Sequence, residues 1–302
     1  DVLGSRGLGD VYKRQMYKSI VTEIVKRQKP KLLLINASAF SYCNSNLTDE
    51  VYLRKWIDNM PMSQNKLDTV KTIPKNINND DEKVKDNISD TLYFPLEKYH
   101  GNWKAPEAVY TSFVTRAYMR LSGGGYLKGF YSKTGITGGR DNLANIGQST
   151  KEAYVLTDEC RAYLKELLSY CNKLGIEHVL LLQPPHETQA ADKSGLEQIE
   201  SITREYGYDF LDLSTDYESI AGIDDSHDFA DFEHLNAYGA KKLTAYIGDM
   251  AVNQYGIKSD TAKSELSRWK KSVKRTKKAL KMAGEYTDRG EAQVVGEYEA
   301  AK

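Results

Sequence analysis

The sequence predicts an α/β fold in which a parallel sheet is covered by helices on both faces, and two observations carry that expectation. Read from Tyr17, the hydrophobic pattern alternates helix, strand, helix, strand, helix, strand, then a polar loop and a last helix. Such alternation belongs to parallel sheets joined by crossover helices. The second observation is where polar residues fall. Asn36, Gln183 and a polar run around His234 all follow strands, on the rim where open α/β sheets meet ligands.

Residues 1–15 resemble the translated sequencing-adapter read-through found at the ends of metagenomic gene fragments. They are set aside as a non-native leader, with the natural start expected upstream. Gly4, Gly7 and Gly9 have no strand before them, so no phosphate loop is read there. Tyr17 to Arg27 is a helix with Ile20, Ile24 and Val25 on one side, stopped by Pro30. Lys31 to Ile35 follows as a fully apolar strand ending at Asn36-Ala37-Ser38.

From about residue 44 to 150 the pattern changes, and the region reads as one large, mostly helical insertion. Helical pieces at Asp49 to Met60 and Lys66 to Ile73 lead into a polar run. An aromatic cluster with Tyr93, Phe94, Tyr99, His100, Trp103 and Tyr110 follows, then a glycine-rich loop. Strong helical periodicity returns over Asp158 to Leu174, with Gly175 as C-cap. Then come strand His178 to Leu182, helix Leu196 to Tyr206 and strand Asp209 to Leu213. Ser259 to Met282 is a basic helix with Leu266, Trp269, Val273, Thr276 and Leu280 at three- and four-residue steps. It lies on an anionic surface, docks on the domain, or is a solvated C-terminal helix with a narrow packing stripe. The glycine and acidic residues after Gly284 read as a disordered tail.

Composition narrows the field. The 302 residues balance 42 basic against 42 acidic side chains, so nothing points to nucleic acid. Tyrosine is abundant, 21 against 7 Phe and 3 Trp, which suits either a sugar-binding surface or ordinary rim packing. Cys43, Cys160 and Cys171 show no C-x-x-C spacing, which argues against a disulfide framework or zinc ribbon. No metal or other cofactor is expected. No apolar run approaches a membrane span.

The chemistry concentrates in the run from His227 to Gly239. Asp231 lies three residues before His234, ahead of an amphipathic helix for which Asn236 is the natural N-cap. An Asp that accepts from one ring nitrogen sets the tautomer of a general base, while the other nitrogen faces a nucleophile. The plain alternative is a polar loop capping a surface helix.

Asp231-Phe232-Glu233-His234, followed by Leu235-Asn236, resembles the last block, Asp-x-x-His, of the SGNH (GDSL-like) hydrolases. Three further segments resemble an envelope branch of that superfamily, related to alginate-export acetyltransferases and the D-alanyl transfer protein of teichoic acids. They are Lys29 to Asn36, Phe94 to Trp103 and His234 to Leu243, which together span most of residues 17 to 257. The resemblance implies a flavodoxin-like three-layer α/β/α sandwich and a Ser-His-Asp site. It also implies an extracytoplasmic protein held at the membrane by an N-terminal helix absent from this sequence.

On that resemblance His234 is the general base, Asp231 its orienting acid and Asn36 the oxyanion-hole amide. The family's Gly-Asp-Ser block is absent and is expected upstream of Tyr17. Ser38, also at a strand end, is the alternative nucleophile, and Asp228 the alternative acid. His100 and Trp103 either line the substrate cleft or pack within the insertion; His186 reads as a loop residue. The implied activity is a serine esterase or O-acyltransferase on an acylated envelope carbohydrate or other small ester. The competing readings are a non-catalytic module binding glycan or a protein partner, and metal phosphohydrolysis around His227, Asp228 and His234. The last lacks well-placed further ligands, since His178 and His186 sit elsewhere.

Overall fold

The computed structural model describes residues 14–41, 50–58, 60–72, 90–93, 114, 131–136, 154–185, 193–231, 234–258 and 263–296. His100, Trp103, His186 and Cys43 lie outside the described residues.

Three parallel strands make the sheet: β1 (Leu32–Asn36), β3 (His178–Gln183) and β4 (Asp209–Asp212), in the order β1-β3-β4. Leu33 pairs with Val179 and Ile35 with Leu181, and Leu181 in turn with Phe210. Because side chains alternate along a strand, that register gathers these five residues on one face. Helices α1 (Tyr17–Val25), α5 (Asp158–Lys173) and α6 (Ser194–Glu205) pack there through Val21, Leu164, Leu168 and Ile199. Strand order advances in one direction, and right-handed crossovers that step the same way put their helices on the same face. Thr157 caps α5 by accepting from the Cys160 amide, and Gly175 ends it at φ 67°.

The opposite face is built differently. Leu182 and Leu211 meet Leu213, helix α7 (Tyr217–Ala221), Ile223, Phe229 and, from helix α8 (Ala237–Asn253), Leu243. At β1 this face is open: Leu34 is 39% exposed, where the sequence reads a fully buried strand. The reason is position, since β1 pairs with β3 alone among the described strands and so forms an edge.

In the region read as an insertion, α3 (Glu50–Ile57) and α4 (Gln64–Thr72) form a second apolar cluster against α1, with Leu53, Trp56, Ile57 and Val70 around Met16. The Ser19 hydroxyl joins all three helices, receiving hydrogen bonds from Trp56 Nε1 at 3.0 Å and Thr69 Oγ1 at 2.9 Å. The short helix α2 (Ser38–Ser41) follows β1 in the chain, ahead of α3. Arg14 and Gln15, set aside with the leader, form a buried 3-10 turn with Met16, drawn in by the burial of that methionine.

Two expectations for the carboxyl-terminal part are corrected. Helix α9 (Lys263–Asp288) does not dock through Leu266 and Val273, which are 42% and 49% exposed. It buries Ser272, Ala279, Ala283 and Thr287 instead, because small residues let it approach Ala237 of α8 closely. Nor do residues 284–296 form a disordered tail. The helix runs on to Asp288, and β7 (Val294–Val295) pairs antiparallel with β2 (Ser132–Lys133), burying Val295 beside Ala279 and Ala283. Cys160 and Cys171 are buried free thiols.

Candidate active site at the His234 hairpin

The polar run expected as a loop is a tight antiparallel hairpin, β5 (Phe229–Asp231) and β6 (His234–Leu235). Asp231 and His234 are direct cross-strand partners, which brings their side chains together. Phe229 roots the hairpin at the carboxyl rim of the sheet, packed with Leu182 and Leu213. Asn236 then caps α8: its Oδ1 accepts from the Tyr238 amide at 2.9 Å and the Gly239 amide at 3.3 Å. Its Nδ2 donates to His227 O at 2.6 Å and Gly135 O at 3.2 Å, tying hairpin, loop and helix into one unit.

His234 Nδ1 stands 2.7 Å from Asp231 Oδ1, the contact an orienting acid makes with a general base. A third residue joins them. Lys133 Nζ donates to Asp231 Oδ2 at 2.9 Å and stands 3.1 Å from His234 Nδ1. The imidazole nitrogen therefore faces both a carboxylate and an ammonium. A proton on Nδ1 serves Asp231; a bare Nδ1 serves Lys133. All three side chains are a third to two-fifths exposed, so the group opens to solvent.

Lys133 is the site residue that sequence reasoning missed. It is 98 and 101 residues from its partners, and no local pattern marks it. A strap holds it in place. Thr134 N donates to Gln293 O, Gln293 N donates to Thr134 Oγ1, and Gly135 N donates to Thr287 Oγ1. The end of α9 and β7 thus clamp residues 132–135 beside the hairpin.

Asp228 belongs to a different unit. Fully buried, it accepts from Asp224 N at 2.7 Å, from Lys242 Nζ at 2.6 Å, and faces His227 Nδ1 at 3.1 Å. Its oxygens bind the 224–228 turn to α8 rather than orienting His234. Nearby, hydrogen bonds from the Ser226 side chain and amide hold the Asp224 carboxyl below its usual range. Tyr238 donates to Asp288 at 2.7 Å, and that hydrogen bond raises its phenol.

At the tips of β1 and β3 lies a second polar cluster. Asn36 Oδ1 accepts from Ser38 N at 2.8 Å, which leaves Nδ2 without a partner among the described residues. Ser38 opens α2 in a strand–turn–helix corner, and its hydroxyl accepts from Gln183 Nε2 at 3.4 Å. Gln183 is fully buried and also accepts from Ser41 Oγ. No hydrogen bond among the described residues joins this cluster to His234. Among the described residues no group of three or more His, Cys, Asp and Glu side chains could hold a metal ion, and no helix is long and apolar enough to cross a membrane. Comparison with known proteins finds no matching family model, no matching curated protein and no matching solved structure.

Proposed function

We propose that this chain carries the base and the acid of an SGNH-like serine esterase or O-acyltransferase acting on an acylated carbohydrate of the bacterial envelope. One observation carries the reading: the 2.7 Å contact between Asp231 and His234, on a hairpin rooted at the carboxyl rim of a parallel sheet. In this reading His234 takes the proton from a serine hydroxyl as it attacks the acyl carbonyl, and Asp231 stabilises the imidazolium that forms. The Asn36 amide, unpartnered among the described residues, donates to the developing oxyanion. Hydrolysis and transfer share the acyl-enzyme and differ in whether water or a sugar hydroxyl resolves it.

The fold supports the reading in a further respect. Helices α1, α5 and α6 pack on one face of the sheet and α7 and α8 toward the other, and a three-layer sandwich needs helices on both faces. A further strand would pair along the free edge of β1. The second reading is a non-catalytic module binding glycan or a partner protein. It is favoured by the Lys133 ammonium beside His234 Nδ1 and by Ser38 bonding to Gln183 instead of a histidine.

Turnover of p-nitrophenyl acetate by the protein expressed from its full gene decides between them. Replacing His234 by Ala should lower kcat/KM by at least about a hundredfold, the usual size of a general-base contribution. Equal rates for the two proteins would refute the acyl-enzyme reading. Fluorophosphonate labelling that survives Ser38→Ala would place the nucleophile elsewhere than Ser38.

A further inference from the structure

Helix α9 carries a feature that the site does not use. Over Lys263–Asp288 it holds nine basic and three acidic residues, a net charge of +6 in a chain whose net charge is zero. The buried small residues occupy one face. On the opposite side Lys270, Lys274, Lys277 and Lys281 fall in line, with Lys271 and Lys278 beside them, an arc of roughly 120° by helical geometry. All six are exposed. Lys281 meets Glu285 at 3.7 Å, while the other five make no ion pair among the described residues.

Along one flank of that arc stand Leu266 and Val273, two turns apart and nearly half exposed. What sets these two aliphatics apart is that they border the lysine arc on the same helix. A polyanion such as nucleic acid would engage the lysines and leave the aliphatics wet. A bilayer uses both: lysines reach anionic headgroups, and the aliphatic seam enters the boundary with the acyl chains. We propose that α9 is a docking surface for an anionic phospholipid bilayer. The inference does not depend on the activity assigned to His234. It has a structural corollary, because the same helix ends in Thr287 and Asp288, which hold the strap and Tyr238 next to the His234 hairpin.

The test is co-sedimentation of the whole chain with phosphatidylcholine vesicles, with and without phosphatidylglycerol, at low and high salt. Binding is expected only to the phosphatidylglycerol vesicles and should fall with salt. Replacing Lys270, Lys274 and Lys277 by Gln should weaken partitioning by about a hundredfold, at roughly fivefold per lysine. Leu266→Ser with Val273→Ser should weaken vesicle binding several-fold yet leave binding to heparin unchanged. All five positions are exposed, and circular dichroism melts would verify that the variants fold. Absent or salt-insensitive vesicle binding, equal binding to both vesicle types, or insensitivity to the Leu266/Val273 pair would overturn the proposal. Binding to heparin alone would identify a polyanion site instead.

Discussion

Replacing Asn236 tests whether the site is held together as the structure indicates. The side chain is fully buried and makes four hydrogen bonds: two accepted from the first turn of α8, two donated to the carbonyls of His227 and Gly135. In Asn236→Ala the lost cap costs about 1 kcal/mol. The two carbonyls left bare add about 1 kcal/mol each at the low end for unsatisfied buried groups. The expected loss is therefore about 3 kcal/mol. Asn236→Asp separates the two contributions. A carboxylate still caps the helix but points an acceptor at two carbonyls, so this variant should lose about 2 kcal/mol or more. Urea unfolding reads both, with an unchanged slope indicating an unchanged denatured state. If the Asp variant stays within about 0.5 kcal/mol of the parent, Asn236 is only a helix cap and the cross-link argument fails. A loss below about 1 kcal/mol in the Ala variant would remove both contributions.

Two further predictions concern protonation. Lys133→Met leaves Asp231 as the partner of His234 Nδ1, so the imidazole should shift toward the Nδ1–H tautomer by about fivefold, for a part-exposed charged contact near 1 kcal/mol. Long-range nitrogen–proton spectra of His234 would show it, and an unchanged tautomer ratio would mean that the ammonium does not compete for the ring. At alkaline pH, burial pushes the Cys171 thiol and the Tyr208 phenol each up to about 12, the latter helped by the neighbouring thiol. Both lie above their ordinary values of 9.0 and 10.0, and both are neutral when protonated. Their stabilising effect is complete below those ordinary values and is lost as pH rises toward 12. Urea midpoints should fall above pH 10, less steeply in Tyr208→Phe; a flat profile to pH 11 would contradict the burial argument.

Legibility in the sequence followed distance along the chain. Strands β1, β3 and β4, helix α5 and the Asn236 cap each announce themselves within a dozen residues, through periodicity or a capping side chain. So does the Asp231–His234 pair, whose partners are three residues apart. Lys133 gives no such signal, because its partners are about a hundred residues away and the strap that holds it is fixed by β7. The docking face of α9 misled for a chemical reason. Hydropathy favours Leu266 and Val273, but close approach of two helices favours Ser272, Ala279 and Ala283, which a hydrophobic stripe does not reveal. Exposure of Leu34 depends on which strand lies alongside β1, and an apolar run is the same at an edge as in the middle.

The clamp between Thr134 and Gln293 spans 159 residues. Closing so long a loop comes late in folding, after the local helices and their crossovers. A ribosome-bound chain whose synthesis has not yet reached α9 could build the sheet, yet its lysine strap would have nothing to fasten it. The ammonium, carboxylate and imidazole thus meet only once synthesis has passed β7, so the site is the last part of this stretch to assemble.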